Sequence, residues 1–182
     1  MDKSTIDKIN LSHPSIREKM LKDYIDANNK LGKGCRLRFA YVLRTNEEQD
    51  NLHALGRTKV NPDGKSTKKP MGNIVTNAKG GQSIHNYGLA FDIVLMYDKN
   101  NDGTFETVSW DMLKDGDNNG KADWMEMVTF FKSRGWEWGG DWKSFKDYPH
   151  FQISDGHTWR TLKLKLDGGS FIVDKGIKYV KI

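Results

Sequence analysis

The chain has 182 residues, of which 36% are apolar and 29% charged, with a formal net charge of +5; that length suits one domain with a substantial core. No run of about 18 apolar residues occurs, so no membrane-spanning helix is expected, and the single cysteine, Cys35, excludes an internal disulfide and a thiolate zinc site. The basic balance favours an anionic partner, but the cations do not cluster with interleaved aromatics, which argues against a nucleic-acid reader.

In chain order, Met1 to Lys8 lack the apolar stretch of a secretory signal peptide, so export is expected to need a helper. Ser15 with Glu18 has the spacing of a capping box, and Ile16, Met20, Leu21, Tyr24 and Ile25 form a helical stripe that runs out near Gly32. Leu37, Phe39, Tyr41 and Leu43 alternate as a strand ending at Arg44, followed by a short helix over Glu47 to Leu55 that Gly56 stops. Val60 to Ser83 reads as a long surface loop, of a length that in compact domains often serves as a lid. Its Lys65 to Lys69 run reads as solvated.

Leu89, Phe91, Ile93 and Leu95 then form one apolar strand face, with Ala90, Asp92 and Val94 on the other. A helix is expected over Trp124 to Arg134, stopped by Gly135. Trp136, Trp138 and Trp142 frame Gly139-Gly140 and suit either a cleft or a packed core. In His150-Phe-Gln-Ile153, His150 and Gln152 point away from Phe151 and Ile153. From about 160 to 182, Leu162, Leu164 and Leu166 alternate before a Gly168-Gly169 turn and two further strands, which predicts a β extension. The fold class expected is α+β, a small antiparallel sheet flanked by helices, with 1–182 as a single catalytic domain. His13, His53 and His157 have no partner at a recognisable ligand spacing and are expected at the surface.

The densest chemistry lies in Ser83-Ile-His85-Asn-Tyr-Gly-Leu-Ala-Phe-Asp92 and Asp147-Tyr-Pro-His150. Two imidazoles and one carboxylate, His85, Asp92 and His150, make the three-ligand set of a catalytic zinc with one position left for water. Asp147 is then free to act as a base, with Glu137 as a rival. A lone His or Asp in a strand is usually just solvated or hydrogen-bonded; two matching segments make that reading much weaker.

A second signal is Asp115-Gly-Asp117-Asn-Asn119-Gly-Lys121-Ala-Asp123-Trp-Met-Glu126. It fills the EF-hand calcium loop, with side-chain oxygens at positions 1, 3, 5, 9 and 12, the Lys121 carbonyl at position 7 and glycine at the sharp turn. Asp123 and Glu126 also have the spacing of a helix start. Asp98-Lys-Asn-Asn-Asp102-Gly103 begins the same pattern but has Ser109 where position 12 needs Glu, and reads as a turn.

The Ser-x-His-x-x-Gly-x-Ala-x-Asp and Asp-x-x-His pair resembles the zinc peptidases of the D-alanyl-D-alanine carboxypeptidase and LAS group, and most of all the phage and bacillary L-alanyl-D-glutamate peptidases. The similarity runs from about Leu11 to Gln152 and takes in Arg44-Thr-Asn-Glu-Glu-Gln49 and Ile74 to Gln82. The resemblance implies zinc on His85, Asp92 and His150, catalysis by Asp147, and Arg44 beside a substrate carbonyl or carboxylate, with Ser83 orienting the substrate or a ligand. Relatives usually reach that arginine through Ser-Gly-Tyr, where this chain has Ala40-Tyr-Val-Leu43. It further implies hydrolysis of the L-Ala to D-Glu bond of peptidoglycan. Lysis of a host cell from within, by a monomeric phage endolysin, would account for the N-terminal composition, and the 115–126 loop adds the expectation of regulation by calcium. Such an enzyme is made in the host cytoplasm and reaches the wall with a holin-type helper. The alternatives are a D-Ala-D-Ala carboxypeptidase using the same site, or a non-catalytic, calcium-dependent wall-binding protein.

Overall fold

The computed structural model describes residues 2–182. In chain order the elements are α1 (Lys3–Ile9), α2 (Pro14–Lys30), β1 (Cys35–Tyr41), α3 (Asn46–Ala54), a 3-10 turn (Ile84–Tyr87), β2 (Ala90–Tyr97), β3 (Thr107–Ser109), α4 (Asp123–Ser133), β4 (Glu137–Trp138), a second 3-10 turn (Gly139–Asp141), β5 (His150–Gln152), α5 (Trp159–Asp167), β6 (Phe171–Asp174) and β7 (Ile177–Val180). They fall into two compact units. One joins the N-terminal part up to Val42 with Leu89–Ile153, and the other joins Leu43–Gly88 with Ser154–Ile182. Among the described residues no helix is long and apolar enough to cross a membrane.

The first unit is built on an antiparallel sheet in the order β1-β2-β5-β4, with β3 also paired to β2. β1 runs along β2, while β5 takes the start of β2 and β3 its end. Because β2 is covered on both faces, every residue in it is buried except Asp92. A ladder of rings forms the core: Phe91 stacks on Phe39 at 4.1 Å and on Phe151 at 5.4 Å, with Phe131 and Trp136 edge-on at 4.9 and 4.7 Å. Trp136 belongs to this core, its Nε1 donating to the buried Asp23 carboxylate at 2.8 Å.

Four local readings of the sequence change in the structure. The cap of α2 is His13, whose side chain accepts from Ser15 N–H, so the box expected at Ser15 lies inside the helix; His13 is 2% exposed rather than at the surface. Asp2 caps a short helix, α1, that no periodicity announced, and it is held by Arg38 through two hydrogen bonds of 3.0 and 2.9 Å. In β1 the alternation that buries Cys35, Leu37 and Phe39 shifts by one at a bulge between Phe39 and Tyr41. Tyr41 is therefore 48% exposed and Val42 is buried instead.

The fourth change lies in the second unit. Leu162 to Leu166 is helix α5 and not a strand, because Thr158 and Thr161 form a capping box and the i, i+4 pair Leu162 and Leu166 serves a helix as well as a strand. The β extension is the β6–β7 hairpin that follows. α3 starts from a capping box of Thr45 and Glu48. The loop from Val60 is tied by its own backbone bonds, Asn61 to Met71 and Asn73 to Asp63.

Phe91→Ala removes the ring at the centre of the ladder and is expected to cost about 3–5 kcal/mol of stability. Urea unfolding checks it; a loss below about 1 kcal/mol contradicts the packing described, since surface substitutions cost that little.

Candidate metal centre

His85 sits in a 3-10 turn that the sequence builds from both ends. Ser83 caps it, its hydroxyl accepting from His85 N–H at 3.3 Å, and Gly88, at φ +70°, ends it in a conformation that side chains resist. Asn86 Oδ1 accepts from Gly81 and Ser83 N–H, while its Nδ2 donates to the Arg44 carbonyl at 2.9 Å. Arg44 N–H in turn donates to the His85 carbonyl at 3.1 Å. His85 is buried. The Arg44 guanidinium is also buried and donates to Gln49 Oε1 at 2.9 Å, with Gln49 anchored on the Ala78 carbonyl. Sequence reasoning assigned no role to Gln49 or Asn86, although both lie within the motifs.

Asp92 on β2 faces His150 on β5 in register. The pairing brings Asp92 Oδ1 to 3.3 Å from His150 Nδ1, with the two side chains 14% and 5% exposed. The ligand face is thus turned from the ring ladder without being open to water. Burial by itself lowers the His150 pKa, but the hydrogen bond and charge of Asp92, with the charge of Asp147, outweigh it and the pKa is raised. A buried nitrogen facing a carboxylate asks for a positive charge, as a proton or as a cation. As a donor set, the two imidazoles and one carboxylate of His85, Asp92 and His150 fit zinc.

Asp147 is fixed three residues before His150: its N–H donates to the Gly139 carbonyl at 3.1 Å and its own carbonyl accepts from His150 N–H at 3.2 Å. Gly139 makes this turn possible, since a Cβ there would lie 2.3 Å from Asp147 O and 3.1 Å from His150 Cβ. Trp142 sits with its ring 5.0 Å from that of His150. Glu137, the rival base, instead accepts from Gln152 Nε2 at 2.9 Å. Cys35 takes no part: burial pushes its thiol up to about 12.

In the loop after β3, Asp115, Asp117 and Asp123 bring carboxylate oxygens within 4.8 Å of one another. Asp123 is fully buried; one oxygen accepts from Tyr97 Oη at 2.7 Å and from Gly116 N–H at 2.8 Å, while Oδ1 has no partner. Asp123 therefore does not cap α4, whose cap position, Ala122, makes no side-chain hydrogen bond. Asn119 donates to Asp117 and to Glu126, both at 3.1 Å, and the backbone N–H groups of Asn119 and Gly120 point at Asp115. Lys121 N–H donates to Asn119 Oδ1. The Asp98 loop takes the same turn, with Asp102 and Gly103 N–H on Asp98 and Asn101 at φ +59° matching Asn118 at +58°.

Gly139→Ala is expected to displace the Asp147 turn, lowering any hydrolytic activity by at least tenfold and zinc affinity by about tenfold, the scale of a disturbed ligand shell. Activity and zinc binding at the wild-type level would contradict the close contact.

The chain is similar in sequence to known proteins. Residues 76–153 match the family model described as D-alanyl-D-alanine carboxypeptidase. The chain is similar to the peptidoglycan L-alanyl-D-glutamate endopeptidase CwlK of Bacillus subtilis (strain 168), with 47% identity over 121 residues, covering 66% of this chain and 62% of that protein. It thus spans less than two thirds of that relative's length. Among solved structures it is similar to the Serratia marcescens L-Ala D-Glu endopeptidase ChiX, at 19% identity and a TM-score of 0.49, covering 84% of this chain and 88% of that one. The matched residues 76–153 include His85, Asp92, Asp147 and His150.

Proposed function

We propose that this chain is a zinc metallopeptidase that hydrolyses peptidoglycan stem peptides at the L-alanyl-D-glutamate bond. The observation that carries the chemistry is the buried Asp92 and His150 pair, with Asp147 held one tight turn away. The bond is suggested by the named activity of the relative that is 47% identical. His85, Asp92 and His150 would hold the ion, which when bound supplies Lewis acidity to water and to a peptide carbonyl. Asp147 takes the proton from the attacking water and returns it to the leaving amine. Arg44, its guanidinium held by Gln49, stabilises developing negative charge on the carbonyl oxygen or binds a substrate carboxylate. Ser83 acts on the site by capping the turn of His85. We take residues 1–182 as a single catalytic domain acting as a monomer.

Asp147→Asn is expected to keep zinc and lose about 10²- to 10⁴-fold in turnover, since an amide cannot take the proton. Near-normal turnover with zinc bound would assign the base elsewhere. Mass spectrometry of digested muropeptides should show new N-terminal D-Glu; loss of terminal D-Ala instead would make the chain a carboxypeptidase, and an unchanged digest a wall-binding protein.

The finer reading is a phage endolysin, delivered with a holin-type helper from the host cytoplasm and regulated by calcium on Asp115, Asp117, Asn119, Lys121, Asp123 and Glu126. The unpartnered oxygen of buried Asp123 supports the calcium part, because such an atom is costly without a cation. α4 starts inside the loop and leads through Gly135 to β4 and the Asp147 turn, so ordering of the loop can reach the site. Glu126→Gln should weaken calcium binding and lower activity at limiting calcium with zinc content unchanged. Flat activity in a calcium titration of zinc-loaded, calcium-stripped protein would remove the regulatory role.

A further inference from the structure

Behind His150 lies a short relay that the mechanism above does not use. His150 Nε2 is 2.9 Å from Gln152 Oε1, and Gln152 Nε2 donates to Glu137 Oε2 at 2.9 Å. Backbone pairing enforces the arrangement, since Glu137 on β4 faces Gln152 on β5 in register. His150 and Gln152, two residues apart on one strand, point to the same side. Gln152 is 9% exposed, so its amide has little access to water as an alternative partner.

An amide side chain has one accepting and one donating end, whereas an ionised carboxylate only accepts. Glu137 can therefore engage only the donating end of Gln152, and this turns the amide oxygen toward His150. An oxygen at that place needs a proton on Nε2. In the neutral ring the proton is then absent from Nδ1, the nitrogen that lies 3.3 Å from Asp92 Oδ1. Reversal of the amide would put N–H against Nε2, favour the other tautomer and block Nδ1 as a ligand.

We propose that Gln152 is a positioning residue of the metal centre and that Glu137 sets its polarity: together they hold His150 as the Nε2–H tautomer and make Nδ1 the metal-ligating atom. The inference rests on the zinc reading proposed above. Glu137 is exposed, so replacing it leaves the core intact. It is a residue that acts through Gln152 on a ligand, and its effect belongs in metal affinity before it appears in turnover.

The test compares wild type, Glu137→Gln and Glu137→Leu by zinc-chelator competition, with circular dichroism and thermal melting of the zinc-free proteins as the folding control. The amide of the Glu137→Gln variant can still accept from Gln152 and should keep affinity within about twofold. The apolar side chain of Glu137→Leu cannot accept, and that variant should lose about 10-fold or more, the scale of outer-shell effects. Ring ¹⁵N spectra of zinc-loaded wild type should show Nε2 of His150 protonated and Nδ1 metallated, and Gln152→Ala should lose zinc affinity at least as far as Glu137→Leu. Equal zinc affinity in wild type and both Glu137 variants, or metal on Nε2, overturns the inference while leaving the zinc site standing. A wild type that binds no zinc overturns both.

Discussion

The pairing of β5 with the first residues of β2 is the constraint on which the site depends. In antiparallel register Asp92 has no neighbour on that strand but His150, and a carboxylate and an imidazole meet where burial leaves neither free to choose water. A one-residue slip of β5 would turn His150 toward the ring ladder and bring Phe151 out of it. The Phe39, Phe91 and Phe151 stack therefore does two things at once: it drives folding, and it fixes the register that sets Asp92 opposite His150.

Around that pair the chain concentrates its unusual conformations. Gly139 permits the carbonyl contact that sets Asp147 beside His150, and Gly140 tolerates the ring of Trp138, which a Cβ would meet at 2.3 Å. Gly88 closes the turn of His85 just before β2 begins. These positions cost backbone entropy on folding, and what they achieve is the placement of functional groups. The Asp115 loop is tied into the same unit by Asp117, which accepts from Gly32 N–H at 2.9 Å, and by Asp123 on Tyr97. The turn after α2, the end of β2 and the start of α4 are consequently tied to this loop by polar contacts.

The zinc candidates were legible because a strand's alternation tells which side chains leave an apolar face, and Leu89 to Leu95 alternate cleanly. What alternation cannot show is a covered second face: Ala90 and Val94 share the side of Asp92 and are buried as well, so that side is interior, not solvent. The bulge at Ala40 was invisible for a related reason, since a one-residue insertion changes the phase but not the composition. α5 deceived because Leu162, Leu164 and Leu166 fit period two, and only Thr158 with Thr161 decided otherwise. Gln152 was placed on the correct face, yet its role needed the partner strand, because the Glu137 contact is made across β4 and β5 and not along the chain.

Everything proposed for the chemistry turns on Asp92 and His150, with His85, holding one zinc ion. Anomalous diffraction at the zinc edge from crystals grown with stoichiometric zinc tests this most directly. The expected result is a single strong peak bonded to an Asp92 carboxylate oxygen, His150 Nδ1 and His85. A peak confined to the Asp115, Asp117 and Asp123 loop, with none between Asp92 and His150, would contradict it.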